Sequence, residues 1–398
     1  MLRFKNDNGS EFPEWEEKNF LDCISEIVDF RGRTPLKLGT NWNEEKSEYL
    51  ALSALNVKNG YIDDTIGAHY GNEELYNIWM KGNELYKGQV LFTTEAPMGN
   101  VAQVPDDKPY ILSQRTIAFV PDYTLLQDDF LAVLLSSADV QKKLDVLATG
   151  GTAKGVSQKS LKSLSINMPS LPEQQKIAEF LSTIDTVIAK QKETVSAWEE
   201  RKKGVMQKLF NQEVRFKADD GSEFPDWEKK KLEDVVEFLD GQRKPLEAGQ
   251  RVFGKYPYYG ASGIIDYVED YIFDEELILL SEDGANILDR NYRVCFLAKG
   301  KYWVNNHAHV LRAMDGNVNG FICEQLESFD YRKYNSGGAQ PKLNQATCRS
   351  IIMNIPCLAE QQKIADCLSA LDEVIEKQKA TLAAWEEMKK GLLQQMFV

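Results

Sequence analysis

PEQQKIAEFLSTIDTVIAKQKETVSAWEERKKG, residues 172–204, is written a second time as AEQQKIADCLSALDEVIEKQKATLAAWEEMKKG, residues 359–391. Aligned over 169–210 and 356–397, an offset of 187, the copies share 26 identities in 42 positions, more than common helix composition produces. In the first copy Ile177, Leu181, Ile184, Ile188, Gln191, Val195, Trp198, Lys202, Val205 and Leu209 follow alternating steps of four and three. The second repeats the pattern at Ile364, Leu368, Leu371, Ile375, Gln378, Leu382, Trp385, Lys389, Leu392 and Met396. A helix lying on its own domain needs only an apolar stripe. A strict 3.5-residue period sustained over the whole copy instead predicts helix-on-helix packing, with each copy the natural partner of the other. A buried glutamine is better matched by a polar group than by leucine, and Gln191 and Gln378 sit midway along their copies. An antiparallel pair therefore brings the two amides together, and sets Trp198 over Leu371 and Trp385 over Ile184.

The duplication extends beyond the helix. RFKNDNGSEFPEWE at 3–16 returns as RFKADDGSEFPDWE at 215–228, an offset of 212, so the chain reads as lead-in block, variable region and helix, twice. The variable regions are unlike in sequence except at their ends, where TGGTAKGVSQ (149–158) matches SGGAQPKLNQ (336–345). Because the second lead-in block follows the first helix, the repeat predicts that the first block lies beside the end of the second helix, near Phe397.

A chain of 398 residues is long enough for two domains, and 43% hydrophobic with 27% charged residues is ordinary globular composition. No apolar run approaches the length of a membrane span and the start is polar, so a cytoplasmic protein with no membrane contact is expected. Cys23, Cys295, Cys323, Cys348, Cys357 and Cys367 form no CxxC pair and read as buried, reduced thiols. The net charge of −14 conflicts with free-standing nucleic-acid binding, which needs a basic footprint, local or supplied by a partner.

The FPEWE and FPDWEKKKL blocks, the two unlike regions ending in Gly-Gly and then SINMPSL or IIMNIPCL, and the EQQKI helices closely resemble the specificity subunits of type I restriction-modification systems along the whole chain. The resemblance implies an α+β fold: two mixed α/β target recognition domains separated by an antiparallel pair of long coiled-coil helices, with a pseudo-twofold internal repeat. The expected division is 1–168 and 213–355 for the domains, and 169–212 and 356–398 for the spacer helices. It also implies a non-catalytic subunit without cofactor that reads an asymmetric, bipartite double-stranded DNA target. Two methyltransferase subunits are the implied partners, with restriction/translocase subunits joined through them.

Apolar, β-rich stretches predict strands at YLALSALNV, QVLFTTEA and ILSQRTIAFV in the first domain, and at LILLSED, VCFLAKG and YWVNNHAHVL in the second. Hairpin turns are expected at Lys58-Asn59-Gly60 and Lys299-Gly300, and helices near Asp128–Leu147 and Val318–Tyr334. There is no phosphate loop, no GxGxxG after a strand and no NPPY-like tetrapeptide, which leaves no motif for catalysis. YPYYG at Tyr256 and PDDKP at Pro105 read as loops. His307 and His309, two apart on one presumed strand, lack further ligands for a metal.

Candidate DNA contacts are polar loop residues. Arg31, Arg33, Thr34 and Lys37 in DFRGRTPLK correspond to Arg243 and Lys244 in DGQRKPLE, cations in Gly/Pro-interrupted loops suited to phosphate or guanine. Asn305, Asn306, His307 and His309 carry donors and acceptors for base edges, or else form a capped turn with buried polar groups. Lys154, Ser157, Gln158 and Lys159 in one half, and Gln340, Lys342, Asn344 and Gln345 in the other, fit sequence reading or a shared framework role equally. Competing readings are an acidic coiled-coil interaction protein or DNA-mimic inhibitor, which explains the charge but not two unlike domains between copied frames, and an enzyme, for which cofactor motifs are missing.

Overall fold

The computed structural model describes residues 2–150 and 154–397; Gly151, Thr152 and Ala153 of the first Gly-Gly segment lie outside the described residues. The chain forms two compact units, Met1–Lys190 with Leu382–Val398, and Gln191–Thr381. Both copies of the opening motif are helical, Leu171–Phe210 and Leu358–Met396, and each helix contributes one end to each unit.

The EQQK tetrad shows why this polar sequence begins a helix. Glu173 and Glu360 lie in the first turn, where the helix dipole favours a carboxylate, yet their side chains are 0% exposed. Glu173 accepts from Arg3 Nε at 3.1 Å, Arg3 Nη2 at 2.8 Å and Trp15 Nε1 at 3.2 Å. Glu360 accepts from Arg215 Nε at 3.1 Å, Arg215 Nη2 at 2.7 Å and Trp227 Nε1 at 3.0 Å. The next residue holds the domain: Gln174 Nε2 donates to the Leu125 carbonyl, while Gln361 Oε1 accepts from the Val318 amide. Gln175 and Gln362 bond one turn on, to Glu179 and Asp366. Lys176 and Lys363 reach back to the lead-in blocks at Asp7 and Asp219.

Each variable region begins and ends on one antiparallel ribbon. Glu16–Asn19 pairs with Ser165–Met168, and Glu228–Lys231 pairs with Ile352–Ile355. In the first unit a four-stranded antiparallel sheet follows, in the order Ile24–Asp29, Thr116–Pro121, Val90–Thr93, Val101–Gln103. Alternation along its strands sends Ile117, Phe119, Val90 and Phe92 to a core shared with Phe130, Leu131, Ile177 and Leu181. Ala118 and Leu91 face the other way, onto Trp79, Leu52 and Leu112. The second unit repeats the arrangement with Val236–Phe238, Ala308–Ala313, Leu277–Ser281 and Cys295–Ala298. Ile278 and Leu280 face Phe321, Ile364 and Leu368, whereas Leu277 and Leu279 face Tyr302 and Phe273.

Several local expectations are revised. The helix expected over Asp128–Leu147 is two helices, Asp128–Ser136 and Ala138–Leu147, because Ser137 is extended and caps the second by accepting from the Val140 amide. Its counterpart is the helix Asn319–Ser328 followed by a 3-10 turn at Tyr331–Tyr334. Lys58-Asn59-Gly60 does turn a hairpin, with Gly60 at φ 84°. Lys299-Gly300 does not: Cys295–Ala298 pairs with Leu277–Ser281, and Lys301–Val304 enters a separate sheet. YWVNNHAHVL likewise splits into Lys301–Val304 and Ala308–Ala313, so His307 precedes the strand that holds His309. ILSQRTIAFV divides at Arg115, whose φ is 64°.

Within the second unit Gln191 Nε2 donates to Gln378 Oε1 at 2.7 Å, and Lys202 Nζ bonds Asp372 at 2.7 Å and Glu324 at 3.0 Å. Within the first unit Lys389 Nζ bonds Asp185 at 2.5 Å, and Trp385 packs on the core that contains Ile184. The lead-in block at Arg3 lies against the end of the second helix: the Leu2 amide donates to the Gln395 carbonyl at 2.7 Å, and Trp15 meets Phe397 edge-on at 5.5 Å.

Replacing Glu360 with Ala strands three buried donors and is expected to cost about 3 kcal/mol in the second unit. Thermal unfolding should show Glu173→Ala weakening the first unit by a similar amount. A loss under about 1 kcal/mol in both would show that the lead-in blocks are not anchored through these carboxylates.

Candidate nucleic-acid interface

The loop after each unit's first sheet strand is built around one carboxylate. In the first unit Asp29 accepts from the Arg31 amide at 2.9 Å and Arg31 Nε at 2.7 Å. Gln158 Nε2 donates to the same carboxylate at 2.8 Å, tying the segment after Gly-Gly to this loop. The second unit repeats the tie, with Gln345 Nε2 donating to Asp240 at 2.8 Å. Ser157 and Asn344, also equivalent, cap the short helices Gln158–Leu161 and Gln345–Arg349 by accepting from the Ser160 and Thr347 amides. The shared polarity of these segments therefore has framework work to do: a cap and a strap in each domain.

Other candidates divide by exposure. Thr34 caps a 3-10 turn over Pro35–Leu38, which is closed by Lys37 Nζ bonding the Gly32 carbonyl. Arg33 turns inward, stacked 4.3 Å over Phe30 and donating to the Trp79 carbonyl. Arg31 keeps 41% of its side chain in solvent, and Lys37, Lys154 and Lys159 are exposed. In the second unit Arg243 is only 13% exposed, bonding Glu282 at 2.8 Å and the Ala308 carbonyl at 2.7 Å. Asn305 is buried, its Oδ1 accepting from the His307 amide. Lys244, Asn306, His307, Gln340 and Lys342 are exposed, with His307 Nδ1 2.9 Å from Asp283 and Lys342 3.4 Å from Glu282.

His309 is 1% exposed. Its Nδ1 lies 2.7 Å from Asp240 Oδ2 and its Nε2 lies 2.8 Å from the Leu343 carbonyl. Burial alone would push the imidazole down, but the bonds to Asp240 and Cys348 raise it to about 10. Burial likewise opposes charge on Asp240, but the bonds from His309 and the Val310 amide hold it below the usual carboxylate range. Among the described residues no cluster of three or more His, Cys, Asp or Glu could hold a metal ion, and no helix is long and apolar enough to cross a membrane.

Asp29, Asp240 and Glu282 were not among the sequence-derived candidates, because attention to cations passes over the anions that orient them. The signal was present: both loops open with Asp, 211 residues apart.

Each unit is a mixed α/β domain closed on an antiparallel ribbon, with a polar loop braced by one carboxylate. Residues 14–196 and 225–384 match the family described as Type I restriction modification DNA specificity domain. The chain belongs to this family and is a type I restriction-modification specificity subunit. A Haemophilus influenzae chain named as a type I restriction enzyme specificity subunit is 38% identical over 152 residues, 38% of each chain. The type I restriction enzyme MjaVIII specificity subunit of Methanocaldococcus jannaschii is 25% identical over 429 residues, covering 98% of this chain and 94% of that one. The crystal structure of the type I restriction-modification S subunit from M. genitalium shares the fold, with a TM-score of 0.62 at 17% identity, covering 100% of this chain and 98% of that chain.

Gln345→Ala is expected to free the segment 336–345, and Gln158→Ala the segment 154–158. Losing a hydrogen bond to a charged acceptor costs about 1.5 kcal/mol, so amide exchange in the affected segment should rise roughly tenfold. Unchanged exchange in both variants would rule out the strap.

Proposed function

We propose that this specificity subunit reads an asymmetric, bipartite duplex-DNA target, one half-site per variable domain. The carrying observation is a frame repeated contact for contact around unlike loops. Arg3–Glu173 and Gln158–Asp29 are matched by Arg215–Glu360 and Gln345–Asp240, while the other partners of Asp29 and Asp240 differ, Arg31 in one and His309 in the other. Different side chains presented to the two half-sites cannot read a palindrome. Residues 1–168 and 213–355 are the recognition domains in this reading, and 169–212 and 356–398 the spacer helices. Solvent-facing Arg31, Lys37, Lys154, Lys159, Lys244, Asn306, His307, Gln340 and Lys342 are the proposed contacts.

The helices act as an antiparallel coiled-coil spacer with pseudo-twofold symmetry. Supporting this, Gln191 meets its own copy, Gln378, and the pairs Lys202–Asp372 and Lys389–Asp185 are copies of one another with the helices exchanged. Methyltransferase subunits are the assembly partners, and restriction subunits join through them. The net charge of −14 then finds its reason, since much of the phosphate attraction comes from the partner. The relatives named above do not support the alternative of an acidic coiled-coil interaction protein or DNA-mimic inhibitor.

Replacing residues 16–168 with another family member's first domain should change one half-site and preserve the other half and the gap. Adding one heptad to both helices should stretch the gap alone. Long-read methylation mapping in cells carrying the partner subunits reads both; a single contiguous motif, or a half-site altered by the heptads, would defeat the proposal.

The isolated chain is expected to bind its target at least tenfold more weakly than with methyltransferase present at physiological salt. Equally tight binding alone, measured by fluorescence anisotropy, would place the attraction in this chain's own loops.

A further inference from the structure

At its loop carboxylate the second domain carries a buried charge pair that has no equivalent among the described residues of the first. Asp29 sits opposite Ile117 in its ladder and receives positive charge from Arg31, at 2.6 Å and partly in water. The equivalent carboxylate, Asp240, faces His309 on the neighbouring strand, and both are nearly excluded from solvent. An imidazole nitrogen must bear hydrogen to bond a carbonyl, which has no proton to give, and Nε2 lies 2.8 Å from the Leu343 carbonyl. Asp240 accepts from the Val310 amide at 2.9 Å and Gln345 at 2.8 Å, bonds that favour its ionised form, and a carboxylate has no proton to give. Both ring nitrogens therefore donate.

We propose that His309 is a charged imidazolium at neutral pH that positions the second domain's recognition loops, clamping Asp240 at the head of DGQRK to Leu343 after Gly-Gly. This goes beyond the proposed reading of DNA, and only its consequence for the target rests on that reading. Asp240 itself holds the Gln345 strap, and Arg243, which carries the loop's first cation, lies 3.6 Å from it. Three segments that are distant in sequence, near residues 240, 309 and 343, thus meet at one ring. His309 acts through these loops and is a positioning residue.

The charged groups around the ring come from every element packed on it. Asp240 belongs to the 3-10 turn Asp240–Gln242, Glu282 follows the strand Leu277–Ser281 at 3.8 Å, and Cys348 lies on the helix Gln345–Arg349. Arg243 and Lys342 face the same carboxylates rather than the ring, and Arg349 stacks on Phe238, whose ring meets His309 edge-on. Two carboxylates against one imidazolium keep the proton in place. The raised titration agrees in sign: the stability linked to the His309 proton is fully present below about 6.5 and is lost as pH climbs toward about 10, whereas that linked to Asp240, held below the usual carboxylate range, is lost only in acid.

The chain has three histidines, His69, His307 and His309, so nitrogen NMR of the histidine-labelled full chain resolves the question directly. One ring, absent from His309→Gln, should show two protonated nitrogens unchanged between pH 6 and pH 9. Asp240→Asn should return that ring to ordinary titration. A bare nitrogen on His309 at pH 8 would overturn the charge. Where partner subunits are present, His309→Gln should lower methylation at the second half-site's cognate sequence at least tenfold and leave the first half-site's preference intact. Full retention of both by a folded variant would overturn the positioning role. Failure of even the unaltered chain to direct methylation to a bipartite target would count against DNA reading, while the NMR result still decides the charge.

Discussion

Each long helix begins with a glutamate sealed from water, and the frame hangs from that residue. A carboxylate there is favourable to the helix dipole but intolerable if unpaired, so Arg3 and Trp15, or Arg215 and Trp227, must come to it. Those partners lie in the lead-in blocks, which in turn deliver the first strand of each ribbon. One buried charge thus sets where the variable region starts, and the ribbon sets where it ends.

Variation is tolerated between these fixed points because the frame is satisfied without it. Gln174 and Gln361 bond main-chain groups of the domain, which any side chain supplies. The sheets keep their order across the units although their sequences differ, since alternate burial on two faces asks only for apolar residues of suitable size. The loops can then differ between the units while the strap and cap that hold them stay.

The braced loops also bear on the acidic balance. Arg31 and Arg243 are bound to aspartate or glutamate, so part of the positive charge on these loops is spent on shape rather than on a partner. The domains solve one loop problem by different means, an exposed arginine in one and a buried imidazolium in the other.

The duplication, the helices and the family resemblance were legible in the sequence alone, because a 3.5-residue period and a copied EQQKI motif are local patterns that survive without coordinates. The helix break at Ser137 was not, since apolar periodicity continues through it. Strand pairing across Lys299-Gly300 was equally hidden: a turn dictates that the chain reverses, not that its two arms share a sheet. The candidate contacts were legible as polar loops, but only tertiary structure separated Arg31 and Lys244 at the surface from Arg243, Asn305 and His309 inside. A side chain's use depends on what faces it, and the carboxylates that face Arg243 and His309 lie 39 and 69 residues away, at Glu282 and Asp240. Residue type and spacing determine the chemistry available; the fold alone decides whether it is turned toward solvent or toward a neighbouring carboxylate.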